Sequence, residues 1–344
     1  MRILLRATNW VGDVAMSLPA LKALRTSFPE DHLAVLARPW VADLYRLRRD
    51  VDEVLVEDPA GAEAGAEGRR RLAAEIRERR FDRAVLLPTS FGTAWTVQQA
   101  GIPERLGWAG EGRGPLLTTA LPPRLHSGRH QVWKHLLLVE AAGATLPVSP
   151  DASWTVPAET GAAGRAVLTA AGWSGRPFVA VHLASFAHAA KRWELPGFAA
   201  VLDRLAEEKG LDAVLLGSGG EAEANGEAAA LARRARVLDL SGRSTLPEAF
   251  GILSLARLFV GNDSGLGHLA AAAGTPTVVA FGPTDPDATR PWDGPRGDGR
   301  PVKIAVARRR TPCAPCRFDV CPIDRRCMTG LDVETVLGAT ASVF

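Results

Sequence analysis

Short apolar runs alternate with amphipathic stretches along almost the whole of this 344-residue chain. In the first half, the runs at 2–6, 32–37, 54–56 and 83–87 have the length of buried strands, and helical spacing occupies 13–27, 40–46 and 69–80. Such alternation predicts a parallel sheet with helices on both faces. It excludes all-helical and all-β folds for this half.

The alternation loosens at Pro147, Pro150 and Pro157 and then begins again. The strands predicted for the second half are 178–183, 213–216, 237–240, 258–261 and 277–281, the last clear one, and the helices are 196–209, 221–235, 246–256 and 266–273. We therefore expect an α/β protein with two Rossmann-like domains, 1–157 and 158–344. Ligands of open parallel sheets bind at the carboxyl ends of the strands, so two such domains are expected to face each other across a cleft.

Composition narrows the classes of function. The formal net charge is +3, whereas a nucleic-acid binder usually concentrates a strong basic excess on one domain. No apolar stretch reaches the roughly 18 residues of a spanning helix, and a charge interrupts the N-terminal apolar run. We expect a cytoplasmic protein, in which the four cysteines stay reduced.

A strand, a small-residue turn and a helix follow one another in FVGNDSGLGH, residues 259–268. Glycines such as Gly265 let backbone N–H groups approach a ligand, and the helix N-terminus favours a diphosphate. Ser264 and His268 share a helix face and can converge on one phosphate. A simpler interpretation is that Asp263 or Ser264 only caps the helix.

A second polar loop follows the first strand of this half. Ser185 lies in it, and Lys191 and Arg192 come at its end. The ammonium can neutralise a phosphate and the guanidinium can bind one in bidentate fashion. A solvated pair beside Glu194 is an equal alternative.

The glycine-rich turn GSGGEAE, residues 217–223, follows another predicted strand. Carboxylates after such turns often accept hydrogen bonds from ribose hydroxyls, which makes Glu221 or Glu223 a candidate. Taken alone, either side chain is better explained as a charge that complements the helix dipole.

In the first half, Asp13 follows the first strand in the sequence NWVGD and stands near a helix start. Locally it is best explained as an N-cap. The functional alternative is a general base that takes the proton of an attacking hydroxyl. A helix N-terminus makes a carboxylate a weak base, which an oxocarbenium-like transition state tolerates because deprotonation comes late.

These segments together resemble the ADP-heptose–lipopolysaccharide heptosyltransferases, glycosyltransferase family 9, and most closely the heptosyltransferase II type. The similar segments span nearly the whole chain in order: NWVGD (9–13) with MSL (16–18), LPTSF (87–91), AGIPERLGW (100–108) continuing to Arg113, KRW (191–193), 216–223, NDSGLGH (262–268) and FGPTDP (281–286).

The resemblance implies a GT-B fold and an inverting reaction that needs no metal and no cofactor. It assigns Asp13 as catalytic base and Lys191 as the residue that neutralises the leaving phosphate. The remaining donor-binding residues that it implies are Ser185, Glu223, Asp263, Ser264, Gly265 and His268. Glu223 matches the family position better than Glu221 does.

The first domain would bind the acceptor, with Arg105, Trp108 and Arg113 in a matching segment. The implied partners are ADP-heptose and a lipopolysaccharide core acceptor of the heptosyl-Kdo-lipid A type, with no nucleic acid. Such an acceptor implies that the enzyme works transiently at the inner face of the cytoplasmic membrane. Arg308, Arg309 and Arg310 can touch anionic head groups there or remain solvated.

All four cysteines lie in a loop at 311–327: Cys313, Cys316, Cys321 and Cys327. Four thiolates suffice for a tetrahedral zinc site, but a reduced, metal-free loop is slightly favoured. The spacing does not match the common iron–sulfur runs.

Three other functions compete with this one. A related GT-B transferase could use another nucleotide-sugar or another acceptor of the cell envelope. A nicotinamide-dependent oxidoreductase would need a Gly-X-Gly-X-X-Gly turn after the first strand, which residues 6–13 lack. A zinc-held nucleic-acid module conflicts with the weak net charge.

Overall fold

The chain divides into two compact units, Met1–Asp151 and Ala152–Phe344. The computed structural model describes residues 1–62, 64–184, 189–297, 299, 302–316 and 318–344. The division lies before the predicted junction at 157, because Trp154 already belongs to the second unit. Its backbone N–H donates to the Ala272 carbonyl at 2.8 Å, and its ring centroid lies 4.7 Å from that of Phe250.

The first unit is built on one parallel sheet. Its strands are Arg2–Arg6 (β1), His32–Ala37 (β2), Glu53–Val56 (β3), Arg83–Leu86 (β4), Glu104–Trp108 (β5) and Thr119–Leu121 (β6). Its α-helices are Val11–Ser27 (α1), Pro39–Arg46 (α2), Gly65–Glu78 (α3), Phe91–Gln99 (α4) and Gln131–Ala141 (α5).

The second unit has the same plan. Its strands are Phe178–His182 (β7), Asp212–Leu215 (β8), Val237–Asp239 (β9), Leu258–Asn262 (β10), Thr277–Phe281 (β11) and Ile304–Arg308 (β12). Its α-helices are Ala158–Ala170 (α6), Leu195–Lys209 (α7), Ala222–Leu231 (α8), Leu246–Leu255 (α9), Gly265–Ala273 (α10), Pro286–Thr289 (α11), Arg326–Thr329 (α12) and Val333–Val343 (α13).

Both sheets have the doubly wound strand order. The first runs β3-β2-β1-β4-β5-β6 and the second β12-β11-β10-β7-β8-β9, with parallel neighbours throughout. In each sheet the order in which strands are added reverses beside the first strand. The reversal lies between β1 and β4 in the first sheet and between β7 and β10 in the second. Ligands of such sheets bind outside the carboxyl ends of the strands at this reversal.

The strands form because they are apolar on both faces, as fully buried parallel strands must be. All residues of β7, β8, β10 and β11 are buried. Helix ends follow local chemistry: α9 begins with a Thr245–Glu248 capping box, and α7 ends at Gly210, whose φ of 65° is left-handed. A second such glycine, Gly274 at φ 90°, ends α10.

The prediction that 277–281 is the last clear strand was wrong, since β12 extends the sheet beyond β11. Its sequence IAVAR is short and half exposed, and it follows a segment rich in proline and glycine that hides the pattern. In the described part of the chain, no helix combines the length and apolar character needed to cross a membrane.

Candidate active site

Asn262, the last residue of β10, joins the segments that follow the two central strands of the second sheet. It is fully buried. Its Nδ2 donates to the Leu183 carbonyl at 2.5 Å, and its Oδ1 accepts from the Trp193 backbone N–H at 2.9 Å. One amide side chain therefore fixes where the loop after β7 ends relative to the start of α10.

Lys191 and Asp263 form an ion pair beside the hydrogen bonds of Asn262. Lys191 Nζ lies 2.8 Å from Asp263 Oδ2, and the Thr284 hydroxyl donates to the same oxygen at 2.7 Å. The Lys191 and Asp263 side chains retain only 17% and 7% of their exposure, so the ammonium is held at one place. An anion that enters here meets a fixed cation and competes with Asp263 for it.

Ser264 occupies the N-cap position of α10, but its side chain makes no capping hydrogen bond. Its hydroxyl is instead 2.9 Å from Nδ1 of His182, the last residue of β7. The interpretation of Ser264 as only a helix cap is thus wrong. The backbone N–H groups that open α10 remain directed at the carboxyl edge of the sheet, which suits a phosphate. His268 lies on the same helix and is buried.

Glu221, rather than Glu223, is the carboxylate that reaches this edge. Its Oε2 lies 3.7 Å from His182 Nε2 and accepts from the Ser218 backbone N–H at 2.5 Å. Although burial raises the pKa of Glu221, hydrogen bonding to His182 and Ser218 outweighs it and lowers the pKa. Glu223 is exposed in the first turn of α8, and its ribose role stays a prediction. Ser185, also predicted to bind the donor, lies outside the described residues.

In the first unit, an ion pair and hydrogen bonds hold the loop that leads to Asp13. Arg6, 1% exposed, pairs with Glu57 at 2.8 Å and donates to Asn9 Oδ1 at 3.1 Å. The Trp40 indole donates to the Asn9 carbonyl at 2.6 Å. These bonds fix the turn between β1 and α1.

Asp13 lies in the first turn of α1, which begins at Val11 with Trp10 at the N-cap position. Asp13 is therefore not the helix cap, contrary to the local interpretation. Burial lowers the pKa of Lys134 on α5, and the negative charge of Asp13 partly offsets this. A half-buried ammonium thus lies within electrostatic range of the carboxylate.

Two of the three residues predicted to bind the acceptor, Trp108 and Arg113, are buried inside the first unit. Trp108 has no exposed surface and meets His126 edge-on, with centroids 4.5 Å apart. Arg113 is also fully buried and donates to the carbonyls of Trp108 and Pro88 at 2.8 Å each; burial lowers its pKa to about 10. Arg105 donates to backbone carbonyls of its own segment, including Leu116 at 2.8 Å. Trp108 and Arg113, without exposed surface, are not presented to a ligand here, while the acceptor-binding role of the half-buried Arg105 stays a prediction.

Three exposed aromatic rings follow neighbouring strands of the first sheet. Trp40, Trp10 and Phe91 are 51%, 53% and 46% exposed, and they follow the adjacent strands β2, β1 and β4. They lie at the carboxyl ends of these strands, the same edge as Asp13. Large apolar rings exposed together usually mark a binding surface.

A family model, glycosyltransferase family 9 (heptosyltransferase), matches residues 69–322. The chain is 33% identical to lipopolysaccharide heptosyltransferase 2 of Salmonella typhimurium over 85% of both chains. The chain belongs to glycosyltransferase family 9. It is 32% identical to the Escherichia coli K12 protein of the same name, also over 85% of both. The solved E. coli ADP-heptose lipopolysaccharide heptosyltransferase II superposes with a TM-score of 0.82 at 27% identity, covering 100% of this chain and 98% of that one.

Membership makes this protein a glycosyltransferase and confirms both the family and the fold class predicted from sequence: α/β, GT-B, with two Rossmann-like units. It also agrees with the failure of the dinucleotide-binding pattern after β1. The family model does not reach residues 1–68, whereas the superposition on the E. coli structure covers the whole chain, the Asp13 turn included.

The cysteine-rich segment of this glycosyltransferase packs against Ala190, next to Lys191, and against Pro283. All four thiols line one small pocket, together with Ala190 and Pro283. The Ala190 N–H donates to the Asp319 carbonyl at 3.1 Å, and Cys316 N–H to that of Pro283 at 2.9 Å. Among the described residues, no group of histidine, cysteine and acidic side chains is arranged to hold a metal ion.

Sequence reasoning assigned no role to four residues of these sites, although two of them lie in the motifs NDSGLGH and FGPTDP: His182, Lys134, Asn262 and Thr284. A polar residue that ends an otherwise apolar strand, as His182 ends FVAVH and Asn262 ends LFVGN, was the available signal. Thr284 lies in the motif FGPTDP, but its contact with Asp263 appears only in the folded chain. Lys134 carries no comparable signal, because only the folded chain brings it within electrostatic range of Asp13.

Proposed function

We propose that this family-9 enzyme transfers heptose from ADP-heptose to the inner core of lipopolysaccharide, with inversion at the anomeric carbon and without a metal. The observation that carries the proposal is the arrangement of Lys191, Asp263 and Ser264 at the start of α10. A half-buried cation, a hydroxyl and helix N–H groups together suit a leaving diphosphate.

The second unit would hold the donor. Lys191 would neutralise charge as the bond between heptose and diphosphate breaks, with Ser264, Gly265 and His268 along the same helix turn. Ser185 and Glu223 would complete the site, Glu223 near the ribose. The solved E. coli ADP-heptose lipopolysaccharide heptosyltransferase II, 27% identical, supports ADP-heptose as donor. The names of relatives with about a third identity support transfer of heptose to lipopolysaccharide.

The first unit would hold the acceptor, with Asp13 as general base. Its carboxylate lies on a turn fixed by Arg6 and Trp40, and a base must be positioned within hydrogen-bond reach of its proton. Exposed rings of Trp10 and Phe91 at the same edge suit the apolar face of a sugar. The acceptor would be of the heptosyl-Kdo-lipid A type, met in the cytoplasm at the inner face of the membrane.

The test is a transfer assay with purified enzyme, ADP-heptose and a heptosyl-Kdo-lipid A acceptor in the presence of EDTA. Asp13→Asn should lower kcat by at least about 10²-fold, while ADP binding stays within about threefold of the wild type. NMR of the product gives the anomeric configuration. Asp43→Asn, an exposed carboxylate on α2, is the matched control and should keep full activity. Transfer by Asp13→Asn at the wild-type rate would remove Asp13 as base, and a retained anomeric configuration would refute inversion.

A further inference from the structure

His182 links the two loops of the second unit that the proposed donor would contact. It ends β7, the central strand, while Ser264 follows the neighbour on one side, β10, and Glu221 follows the neighbour on the other, β8. The imidazole is 9% exposed and has one ring nitrogen directed to each neighbour. No other side chain spans these three strand ends in the described contacts.

Hydrogen-bond chemistry gives the ring two states with different consequences for Ser264. A neutral imidazole has one N–H and one lone pair, whereas the protonated ring has two N–H groups. The Glu221 carboxylate, 3.7 Å from Nε2, favours the N–H on Nε2. In the neutral ring Nδ1 therefore accepts, and the Ser264 hydroxyl must donate to it at 2.9 Å. Its oxygen then offers only lone pairs to an incoming anion.

Protonation reverses this bond. Nδ1–H then donates to the Ser264 oxygen, and the hydroxyl proton is free to donate to a phosphate oxygen. We propose that His182 is a positioning residue that takes up a proton from solvent when a nucleoside diphosphate binds and thereby directs the Ser264 hydroxyl toward the anion. This inference rests on the proposed function, since it assumes that the diphosphate lies at Ser264.

The other charged groups at the carboxyl edge of the second sheet determine whether diphosphate affinity rises or falls with pH. Asp263 and Lys191 form a pair at 2.8 Å that leaves little net charge, and His268 on α10 is the remaining titratable ring near the turn. Glu221 is anionic and the bound diphosphate adds further negative charge, so both stabilise the protonated ring. Affinity for the diphosphate should then be highest at low pH and weaken by about tenfold as pH rises from 6 to 9.

The experiment measures ADP binding by titration calorimetry in two buffers of different ionisation enthalpy, which gives the protons taken up. The wild type should take up a substantial fraction of one proton per ADP at pH 7.5. His182→Asn places an amide where Nδ1 stands and donates to Ser264 at every pH. It should bind ADP with an affinity that no longer changes with pH and with no uptake beyond that of ADP itself.

A second variant guards against misfolding of the first. In Glu221→Gln the Nε2 lone pair can accept from the new amide, so the neutral ring can keep its proton on Nδ1, and proton uptake should disappear. His32→Gln is the control, because His32 pairs with Glu53 at 3.1 Å in the first unit and should leave uptake unchanged. Wild-type uptake that persists in His182→Asn would overturn the inference alone. Failure of the wild type to bind ADP, or binding unaffected by Ser264→Ala, would overturn the proposed function itself.

Discussion

Replacing Asn262 with alanine should destabilise the second unit far more than the small volume change implies. The side chain makes two hydrogen bonds, and both partners, the Leu183 carbonyl and the Trp193 N–H, belong to residues that are 3% exposed. Each buried group left unsatisfied costs about 1–3 kcal/mol. The vacated space admits water to part of the site, so we expect a loss of about 2–4 kcal/mol in the free energy of unfolding.

Hydrogen exchange measured by mass spectrometry in increasing urea suits this variant, because two units need not unfold together. Peptides of β7 and β10 report on the second unit directly. Ser342→Ala is the control: its hydroxyl bonds to the Ala339 carbonyl on an exposed helix face and should cost less than about 0.5 kcal/mol. Asn262→Asp keeps the acceptor for Trp193 but sets a carboxylate oxygen against the Leu183 carbonyl, so it should be at least as unstable as the alanine variant. A free energy of unfolding of Asn262→Ala within about 0.5 kcal/mol of the wild-type value would refute the stabilising role of the two Asn262 hydrogen bonds.

Three further outcomes follow from contacts in the second unit. Lys191→Gln should lower kcat/KM for ADP-heptose by about 10²-fold, whereas Lys209→Gln on the exposed end of α7 should not; equal kinetics would exclude Lys191 from phosphate neutralisation. Gly261→Ala should lower the free energy of unfolding by about 1–3 kcal/mol in urea titrations, since its Cβ would lie 2.8 Å from the His182 carbonyl oxygen. The stabilisation from Glu221, whose folded-state pKa lies below the ordinary carboxyl value of 4.5, is present above pH 4.5 and is lost as pH falls through the lowered pKa. The difference in unfolding free energy between wild type and Glu221→Gln should therefore shrink as pH falls below 4.5, and a constant difference would contradict this.

Much of the fold was accessible from the sequence because buried parallel strands leave nearly continuous apolar runs. β1, β2 and β11 have the predicted bounds, and several helices differ by one or two residues. The exceptions have physical reasons. β6 is three residues long and mostly exposed, and β12 is half exposed. Neither strand therefore has the long apolar run that marks a buried strand in a sequence.

The placement of the candidate residues was predictable where backbone geometry alone determines it. A strand followed by small residues and a helix indicates an anion site, and Ser264 and Lys191 do lie at such an edge. Side-chain direction was not predictable in this way. Arg113 looks like any polar loop residue in the sequence, yet it is fully buried among backbone carbonyls. His182 looked like part of a strand, and only the register of β7 beside β10 brings it to Ser264.

The cysteine-rich segment has a consequence for how substitutions in this enzyme should be interpreted. Arg325 pairs with Glu194 at 2.9 Å, the Trp193 indole donates to the Leu331 carbonyl at 2.8 Å, and a side chain at Gly282 would collide with Met328. Residues 325–331 thus support the turn that carries Lys191, although they lie outside the turn at 262–268. Substitutions or thiol oxidation there should weaken the handling of nucleotide-sugar from a distance, and a mutational scan would find sensitive positions with no ligand in reach.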